Sequence, residues 1–397
     1  MNNNDETASA AGIAVWRTIF MASVFTLAAL GVVLVYSASC VRAAAAGVDS
    51  IFLQRQLLWL VLGVGGYAVA SRIDWARRGR WIGALFLLTL LLLVAVRIPG
   101  VGAKVNGAYR WLRLGGFNMQ PSELAKFAAV LALSAFLSRF PAKLPFWRGF
   151  LPAGLMVGVV AGLVVIEPDV GTAALIGAVA GSMLVVGGAR WWQIALIFGG
   201  AACGAAWFGV HKFDYILKRV EAWQTNSIEG AGYQIHMSKV ALGSGGVTGL
   251  GLGEGPAKLF YLPEAHTDFI FAIAGQELGL IGCLTIVVAF GALVVAGIKL
   301  LRRARDKFSG LLIYGAVMML GLQAAFNLAV VTASIPPKGI SLPFVSFGGS
   351  GLFVALTTAG AVLSVSRPPR RAKMPDAVLV YVCGGAERCN SQFTINN

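Results

Sequence analysis

Three side chains with acid–base character lie close together in the segment KLFYLPEAHTDFIFA. Glu264, His266 and Asp268 immediately precede a long apolar run at residues 269–301. Carboxylate and imidazole groups are costly at the edge of a bilayer, so such a cluster usually serves proton or ion chemistry. The simpler interpretation is a helix start at the membrane interface, in which Thr267 or Asp268 acts as the N-cap. The pattern alone leaves both interpretations open.

Two neighbouring segments earlier in the chain place cationic side chains close in sequence to an acidic one. The first, NGAYRWL, carries Arg110 and Trp111, and the second, QPSELAKF, begins a helix at Pro121. Glu123 and Lys126 are three residues apart in this helix, so they share a face and can form an ion pair at membrane depth. A capped helix start with a purely structural ion pair explains the same pattern.

Two turns elsewhere in the chain add further ionisable groups. EPDVGT places Glu167 and Asp169 in a tight turn between two apolar runs, where Asp169 also suits a helix N-cap. PPKGISLPFVSFGGSG contributes Lys338 ahead of the last apolar run. Acids beside fixed cations at one membrane surface would suit a substrate that is both amphipathic and anionic.

The composition determines the class of protein that must position these groups. The chain has 397 residues, of which 57% are hydrophobic and 12% are charged, and its mean hydropathy is +0.77. Soluble domains carry about 25% charged residues, so these values indicate an integral membrane protein. The apolar runs have the length of helices rather than of barrel strands. The five cysteines show no metal-binding or disulfide spacing.

The apolar runs predict an all-α polytopic fold with about ten transmembrane helices, each near the ~20 residues that a bilayer requires. Lys and Arg are concentrated in the connections on the side of the N-terminus, which predicts that both termini are cytoplasmic. The net charge of +15 therefore reflects topology and contact with anionic membrane lipids rather than nucleic-acid binding. The predicted spans are 15–36, 56–71, 81–98, 122–138, 149–166, 170–188, 191–209, 269–298, 310–333 and 349–365.

The domain organisation follows from these spans. Residues 1–366 form one multi-span membrane domain, and residues 367–397 form a cytoplasmic tail to which we assign no role. A large outer loop at about 210–268 lies between helices 7 and 8. Phe213, Ile216, Leu217 and Val220 recur there at helical spacing, which indicates an amphipathic helix on the membrane. The glycine-rich stretch that begins at Gly243 lacks GK[ST], so a turn that folds back on the bundle is favoured over a phosphate cradle.

Taken in order, the motifs RWL…QPSELAK, EPDVGT, KLFYLPEAHTDFIFA and PPKGISLPFVSFGGS resemble the SEDS family of shape, elongation, division and sporulation proteins. The resemblance extends to Arg367. PEAHTDF and the lysine of PPKG are more similar to the divisional members, whereas SKVALG is more similar to the elongation members. Three positions depart from the usual family pattern, which has an acid at Gln276, a serine at Gly351 and a glycine at Ala333.

The resemblance implies a peptidoglycan glycosyltransferase that polymerises lipid II, a disaccharide peptide on undecaprenyl pyrophosphate. The reaction would take place on the outer face of the cytoplasmic membrane, at the division septum. It also implies that Asp268 is the base that accepts the proton of the acceptor 4-hydroxyl. Lys126 and Arg110 would contact the pyrophosphate, with Glu123 holding Lys126 in place.

The remaining assignments also rest on the resemblance. Trp111 and His266 would form walls of the substrate site, and Lys338 would contact lipid-linked phosphate. Asp169 would either order the cavity or assist a divalent cation, Mg²⁺ or Mn²⁺. No cofactor is certain. The expected partners are a class B penicillin-binding transpeptidase and other divisome proteins.

Three other functions use the same features. A flippase for lipid II would also place ionisable groups in a helical bundle. However, the charged groups cluster at one face, and the spans between residues 170 and 209 contain only Arg190, at a predicted cytoplasmic turn. A non-catalytic divisome scaffold is the second alternative, and a polymerase of the elongation type is a third. We therefore expect catalysis, with the role of Asp268 as the decisive test.

Overall fold

A computed structural model describes residues 3–45, 51–105, 108–114, 117–140, 143–196, 199–200, 221, 223–224, 230–259 and 261–367. This part of the chain is mostly helical and includes one small antiparallel sheet. The strands are β1 (Gly102–Val105), β2 (Ala108–Leu114) and β3 (Phe117–Met119). The principal helices are α1 (Asn3–Ala45), α2 (Ile51–Ala70), α3 (Gly79–Ala95), α4 (Pro121–Leu137), α5 (Leu151–Ile166), α6 (Val170–Gly187), α7 (Gly230–Ser244), α8 (Ile270–Leu301), α9 (Lys307–Val331) and α10 (Gly349–Val365).

The helices support the prediction of a multi-span membrane protein. By length and composition, five described segments could cross a bilayer: Gly12–Cys40, Phe146–Ile166, Val170–Gly187, Ile270–Leu301 and Lys307–Val331. α3 and α10 are apolar but shorter. Of the other predicted spans, 56–71 coincides with α2 and 122–138 coincides with α4. The predicted span 191–209 lies largely outside the described residues. The number of spans therefore stays a prediction, as does the amphipathic helix at 213–220, which lies outside the described residues.

The small sheet is a difference from the all-α prediction. β2 pairs antiparallel with both β1 and β3 in the connection between α3 and α4. The register shifts between Ala103 and Lys104, which pair with Trp111 and Tyr109, so Arg110 is the extra residue of a β-bulge. Tyr and Trp favour strands, and AYRWLRL could have been predicted as one on that signal. A bulge re-aims the side chain at its position, here Arg110.

α8 contains a kink, and the glycine-rich segment binds to it. Gly279 has φ 67° and ψ −162° within the helix, which interrupts the regular backbone hydrogen bonds. Backbone polar groups at membrane depth need a protein partner when they leave the helical pattern. The segment after α7 supplies these partners. The hydrogen bonds are Leu250 N to Gln276 O (3.0 Å), Gly251 N to Glu277 O (3.0 Å), Leu280 N to Gly246 O (3.0 Å) and Ile281 N to Val247 O (3.3 Å).

This close approach explains the glycines. A Cβ on Gly245 would lie 1.9 Å from the carbonyl oxygen of Gly275, and one on Gly249 would lie 2.1 Å from that of Glu277. Neither distance is sterically allowed, so a side chain at either position would push the segment off the kink. The prediction that the glycine-rich stretch folds back on the bundle is confirmed.

A buried ion pair fixes the same region to α1. Lys258 Nζ lies 2.9 Å from Glu277 Oε1, and the side chains of both residues are almost completely buried. Ser37 of α1 donates to Glu277 Oε2 at 2.5 Å, and Lys258 also donates to the carbonyl of Gly253. A buried pair is strongly destabilised when one partner is lost, because the other charge is left uncompensated. The pair therefore ties the loop before the Asp268 cluster to two helices.

α9 ends in a Schellman motif at a position where the family usually carries glycine. The amide of Ser334 donates to Ala329 O at 2.8 Å, and that of Ala333 donates to Val330 O at 3.0 Å. Ala333 has φ 61°, in the left-handed region that this motif requires. An L-residue with a Cβ costs about 1–2 kcal/mol there. The missing glycine is therefore a source of backbone strain.

We expect Ala333→Gly to stabilise the protein by about 1 kcal/mol, because glycine adopts the left-handed conformation without steric cost. The measurement is the melting temperature of the purified protein in detergent. Ala325→Gly is the matched control, since Ala325 lies inside α9, where glycine destabilises a helix by about 1 kcal/mol. Equal decreases in the melting temperature of both variants would show that the backbone at Ala333 is not strained.

Candidate functional site

The starts of α4, α6, α8 and α10 meet at one end of the bundle. The amide of Gln120, before α4, donates to Ser350 Oγ of α10 at 3.2 Å, and Gln120 Nε2 donates to Asp169 Oδ2, before α6, at 3.4 Å. The amide of Phe347 donates to the carbonyl of His266 at 2.9 Å. Four helix N-termini carry partial positive charge here, which favours an anionic ligand. The fold thus gathers the predicted segments.

Asp268 lies just before α8. The N-cap of α8 is Phe269, so the alternative with Thr267 or Asp268 as N-cap is wrong. The Thr267 hydroxyl instead donates to Glu264 Oε2 at 3.0 Å. Asp268 is half-buried, and its Oδ2 lies 3.0 Å from the point where a Cβ on Gly339 would stand. The carboxylate thus lies close to space that is open because residue 339 has no side chain.

Two amide side chains on α9 connect the parts of the site. Gln323 Oε1 accepts from Lys126 Nζ at 2.7 Å, and its Nε2 donates to Ser341 O at 2.9 Å. One turn later, Asn327 Nδ2 donates to Asp268 O and to Ile340 O, each at 2.7 Å. Sequence reasoning missed both residues. Two amides four residues apart within an apolar span were the available signal, because burying them requires hydrogen-bond partners.

The predicted pair between Glu123 and Lys126 is confirmed. Lys126 Nζ lies 2.9 Å from Glu123 Oε1, and their side chains are 4% and 11% exposed. Both residues line a cavity together with Gln323, Ser341, Ser346 and Gly351. An ammonium has three N–H donors, and two of those of Lys126 bind Glu123 and Gln323. The described residues thus supply acceptors for two of the three N–H donors of Lys126.

Position 351 lies against this pair. A Cβ on Gly351 would stand 3.3 Å from Glu123 Oε2. The serine that is usual in the family would thus bring a hydroxyl to the carboxylate of the pair. In this chain the second oxygen of Glu123 faces glycine instead.

The bulge in β2 directs Arg110 to the EPDVGT turn. Its Nε donates to the carbonyl of Glu167 at 2.9 Å, and its Nη2 donates to the carbonyl of Pro168. In the described part of the chain, the ion pairs do not include Arg110. Its charge is therefore held by neutral carbonyls and is not neutralised by a contacting carboxylate. Trp111 follows on β2, partly buried and paired with Ala103.

The two acids of the EPDVGT turn have different environments. Asp169 is buried and caps α6, because its Oδ1 accepts from the amide of Thr172 at 3.1 Å. Glu167 is fully buried, and neither of its carboxyl oxygens has a hydrogen-bond partner among the described residues. Burial, followed by the charge of Asp169, raises the pKa of Glu167 to about 8, against the opposing effect of Arg110 and Arg97. Sequence reasoning assigned no role to Glu167.

His266 and Lys338 border the site in different ways. The His266 ring is buried and lies 5.4 Å from the Phe52 ring and 5.7 Å from the Phe347 ring, measured between centroids. Lys338 is exposed, and its Cβ lies 3.8 Å from the Cβ position of Gly171 at the start of α6. His266 thus packs within a ring cluster, whereas Lys338 presents its charge at the surface.

A resident metal would need a set of ligands. No group of three His, Cys, Asp or Glu side chains within the described ranges is arranged to hold a metal ion. The acids of the EPDVGT turn supply at most two carboxylates, one of which caps a helix. The involvement of a divalent cation therefore stays a prediction.

Fold and site together define a class: a multi-span helical membrane protein whose ionisable groups meet at one end of the bundle. The family model described as "Cell cycle protein", for FtsW, RodA and SpoVE, matches residues 17–371, and the chain belongs to this family. The resemblance read from the motifs is confirmed.

Relatives and solved structures agree with this assignment. The chain is 40% identical over 361 residues to the probable peptidoglycan glycosyltransferase FtsW of Trichlorobacter lovleyi, covering 89% of this chain and 94% of that one. It is 42% identical over 346 residues to the protein of the same name from Geobacter sulfurreducens, covering 86% and 92%.

A structure described as "Structural coordination of polymerization and crosslinking by a peptidoglycan synthase complex" matches with a TM-score of 0.73 and 28% identity, covering 88% of this chain and 96% of that one. The Thermus thermophilus rod shape determining protein RodA matches with a TM-score of 0.64 and 27% identity, covering 88% and 97%.

We expect the stability of wild type to fall between about pH 4.5 and pH 8 relative to Glu167→Gln. In this window the folded protein retains the Glu167 proton and the unfolded chain has lost it, so rising pH favours unfolding until the pKa near 8 is passed. Each pKa unit corresponds to about 1.4 kcal/mol, so the difference is on the order of 5 kcal/mol.

The measurement is the melting temperature of both proteins from pH 5 to pH 9. Glu254→Gln, at an exposed acid, is the control and should follow wild type. A constant difference in melting temperature between wild type and Glu167→Gln across this range would show that Glu167 ionises normally.

Proposed function

We propose that the chain is a peptidoglycan glycosyltransferase of the divisional type, which polymerises lipid II into glycan strands. The observation that carries this proposal is the α9 amide pair, Gln323 and Asn327. These two residues hold Lys126 and the backbone of Asp268 on consecutive turns of one helix. The identity of 40–42% to relatives named as peptidoglycan glycosyltransferases supports the same activity.

Asp268 is the proposed base. Glycosyl transfer requires removal of the proton from the acceptor 4-hydroxyl as the new C–O bond forms. The Asn327 bond fixes the backbone of Asp268, and Gly339 leaves room beside its carboxylate. Half-burial keeps the group accessible to a sugar hydroxyl while limiting its hydration. Asp268 thus combines a fixed position with access.

Stabilisation of the departing pyrophosphate falls to the cations of the site. Arg110 is bound to neutral carbonyls, so its full charge is available to the anion. Lys126 is partly neutralised by Glu123 and contributes a directed N–H donor to the cavity. Fixed donors that face growing negative charge stabilise the transition state more than the ground state.

The proposed setting is the outer face of the cytoplasmic membrane at the division septum. The topology predicted from the Lys and Arg distribution supports this setting, because it would put the starts of α4, α6, α8 and α10 on that face. The proposed partner is a class B penicillin-binding transpeptidase. The similar structure of a complex that coordinates polymerization and crosslinking supports this pairing.

We expect Asp268→Asn to abolish glycan polymerisation, because the amide preserves size and hydrogen bonding but cannot accept the proton. The measurement is polymerisation of labelled lipid II by the purified protein with its cognate transpeptidase. Asp74→Asn is the control, since Asp74 is an exposed acid outside the site. Long glycan chains from a folded Asp268→Asn variant would refute the proposal that Asp268 is the base. No polymer from wild type in a folded complex that binds lipid II would instead favour transport or a scaffold.

We expect Lys126→Met to lose polymerisation and also stability, by about 3–5 kcal/mol, because Glu123 is left as an uncompensated buried charge. Lys126→Met combined with Glu123→Gln removes both charges and should recover much of the stability. The measurements are melting temperature and lipid II polymerisation of the single and double variants. If the double variant polymerises lipid II normally, the ammonium has only a structural role.

A further inference from the structure

The end of the bundle opposite the candidate site carries exposed cations that the proposed mechanism does not use. Helix α4 starts at that site and ends at Leu137, and α6 starts there and ends at Gly187. At about 1.5 Å per residue, both helices end roughly 25 Å from the site. The connections at that end contain a basic patch, which consists of Lys143, Arg148, Arg190, Trp147, Trp191 and Trp192. All six side chains are exposed.

Hydrogen bonds join the two chain segments of the basic patch. The amide of Leu144 donates to Gly188 O at 3.0 Å. The buried side chain of Gln193 donates through Nε2 to Leu144 O at 3.4 Å and accepts at Oε1 from the amide of Arg190 at 2.7 Å. The segment before α5 is therefore fixed against the segment after α6, so the cations of both segments belong to one surface.

The aromatic rings of the basic patch are typical of a membrane interface. The Phe146 ring stacks on the Trp192 ring, with 5.3 Å between centroids and 27° between planes, and it meets the Trp147 ring edge-on at 5.1 Å. Trp147 and Trp191 are 75% and 79% exposed. Tryptophan favours the boundary between the hydrocarbon core and the lipid headgroups, because its ring is apolar and its N–H is polar. The rings thus place the neighbouring cations at the depth of lipid phosphates.

The charge of the basic patch is not offset by acids nearby in the sequence or by the described ion pairs. Residues 124–166 and 170–213 contain neither Asp nor Glu. The ion pairs of the described residues do not include any cation of the patch. Asp306, at the same end of the bundle, caps α9 by accepting from the amide of Ser309 at 2.7 Å. The patch is therefore electrostatically complementary to an anion.

We propose that the basic patch binds an anionic phospholipid of the adjoining membrane leaflet, with its phosphate among the three cations and its glycerol and upper acyl chain against the tryptophan rings. Clustered Lys and Arg next to a membrane surface attract anionic lipids. A zwitterionic phospholipid carries the same phosphate, but its own ammonium cancels the charge, so the patch selects anionic headgroups. The inference is independent of the proposed function, because the candidate site lies at the other end of the bundle.

The test is native mass spectrometry of the purified full-length protein, released from detergent micelles that contain phosphatidylglycerol or phosphatidylcholine. Wild type should retain phosphatidylglycerol in preference to phosphatidylcholine. Each Lys or Arg near an anionic lipid surface contributes about fivefold in affinity, so Lys143→Gln, Arg148→Gln and Arg190→Gln together should weaken phosphatidylglycerol binding roughly 100-fold. The charge-conserving combination of Lys143→Arg, Arg148→Lys and Arg190→Lys should bind phosphatidylglycerol as wild type does.

The matched control removes three exposed cations between α2 and α3, through Arg72→Gln, Arg77→Gln and Arg78→Gln. Ser364, near the end of α10, donates to the carbonyl of Ile73 in that connection. Because α10 starts at the candidate site, this connection lies at the same end of the bundle as the basic patch. The control combination should bind phosphatidylglycerol nearly as tightly as wild type.

Three outcomes would overturn the inference. The first is wild-type affinity for phosphatidylglycerol after the three cations of the patch are replaced by glutamine. The second is equal weakening by the control combination, because the effect would then come from the net charge of that end of the protein. The third is displacement of the lipid by soluble glycerol phosphate, which would make the ligand a free anion. Melting temperatures in phosphatidylcholine micelles check that each variant is folded.

Discussion

The structure depends on one constraint: backbone polar groups that leave the helical pattern at membrane depth must find partners within the protein. Three irregular segments among the described residues meet this constraint through a hydrogen bond from a side chain or from a second backbone segment. The kink at Gly279 is paired by the glycine-rich segment, Asn327 binds the carbonyls before α8 and α10, and Arg110 binds those before α6. The same hydrogen bonds that stabilise the turns therefore position the groups that carry the proposed chemistry.

Charges in the bundle divide into compensated and uncompensated ones. Lys258 pairs with Glu277, and Lys126 pairs with Glu123, so each buried pair is neutral overall. Arg110 differs, because carbonyl dipoles orient it without cancelling its charge. Orientation by neutral groups is what an anion site requires, since the charge stays available to the ligand. This distinction gives Lys126 a directional role and Arg110 an electrostatic one.

Sequence reasoning succeeded where the deciding contacts are local. The pairing of Glu123 with Lys126 follows from i, i+3 spacing, and the cap by Asp169 follows from its place before an apolar run. It failed where contacts join distant segments. Gln323 and Asn327 bind residues of other helices and loops, and the EPDVGT turn that holds Glu167 is bound by Arg110 of the distant strand β2. The N-cap alternative was wrong because α8 begins one residue later, at Phe269, and the Thr267 hydroxyl binds Glu264 instead.

Gln276 shows how a departure from the family pattern follows from the same constraint. Its Oε1 accepts from the amide of Ala257 at 3.0 Å, and its Nε2 donates to Ser244 Oγ at 2.9 Å. Ser244 already donates its proton to the carbonyl of Ala241. An ionised glutamate could accept from the amide of Ala257 but could not donate to Ser244 Oγ. Its second carboxylate oxygen would instead lie against the hydroxyl oxygen without a hydrogen bond, while the hydroxyl donates to Ala241. The amide satisfies both neighbours, and it thereby fixes the two ends of the glycine-rich segment to α8 next to Glu277, just before the kink at Gly279.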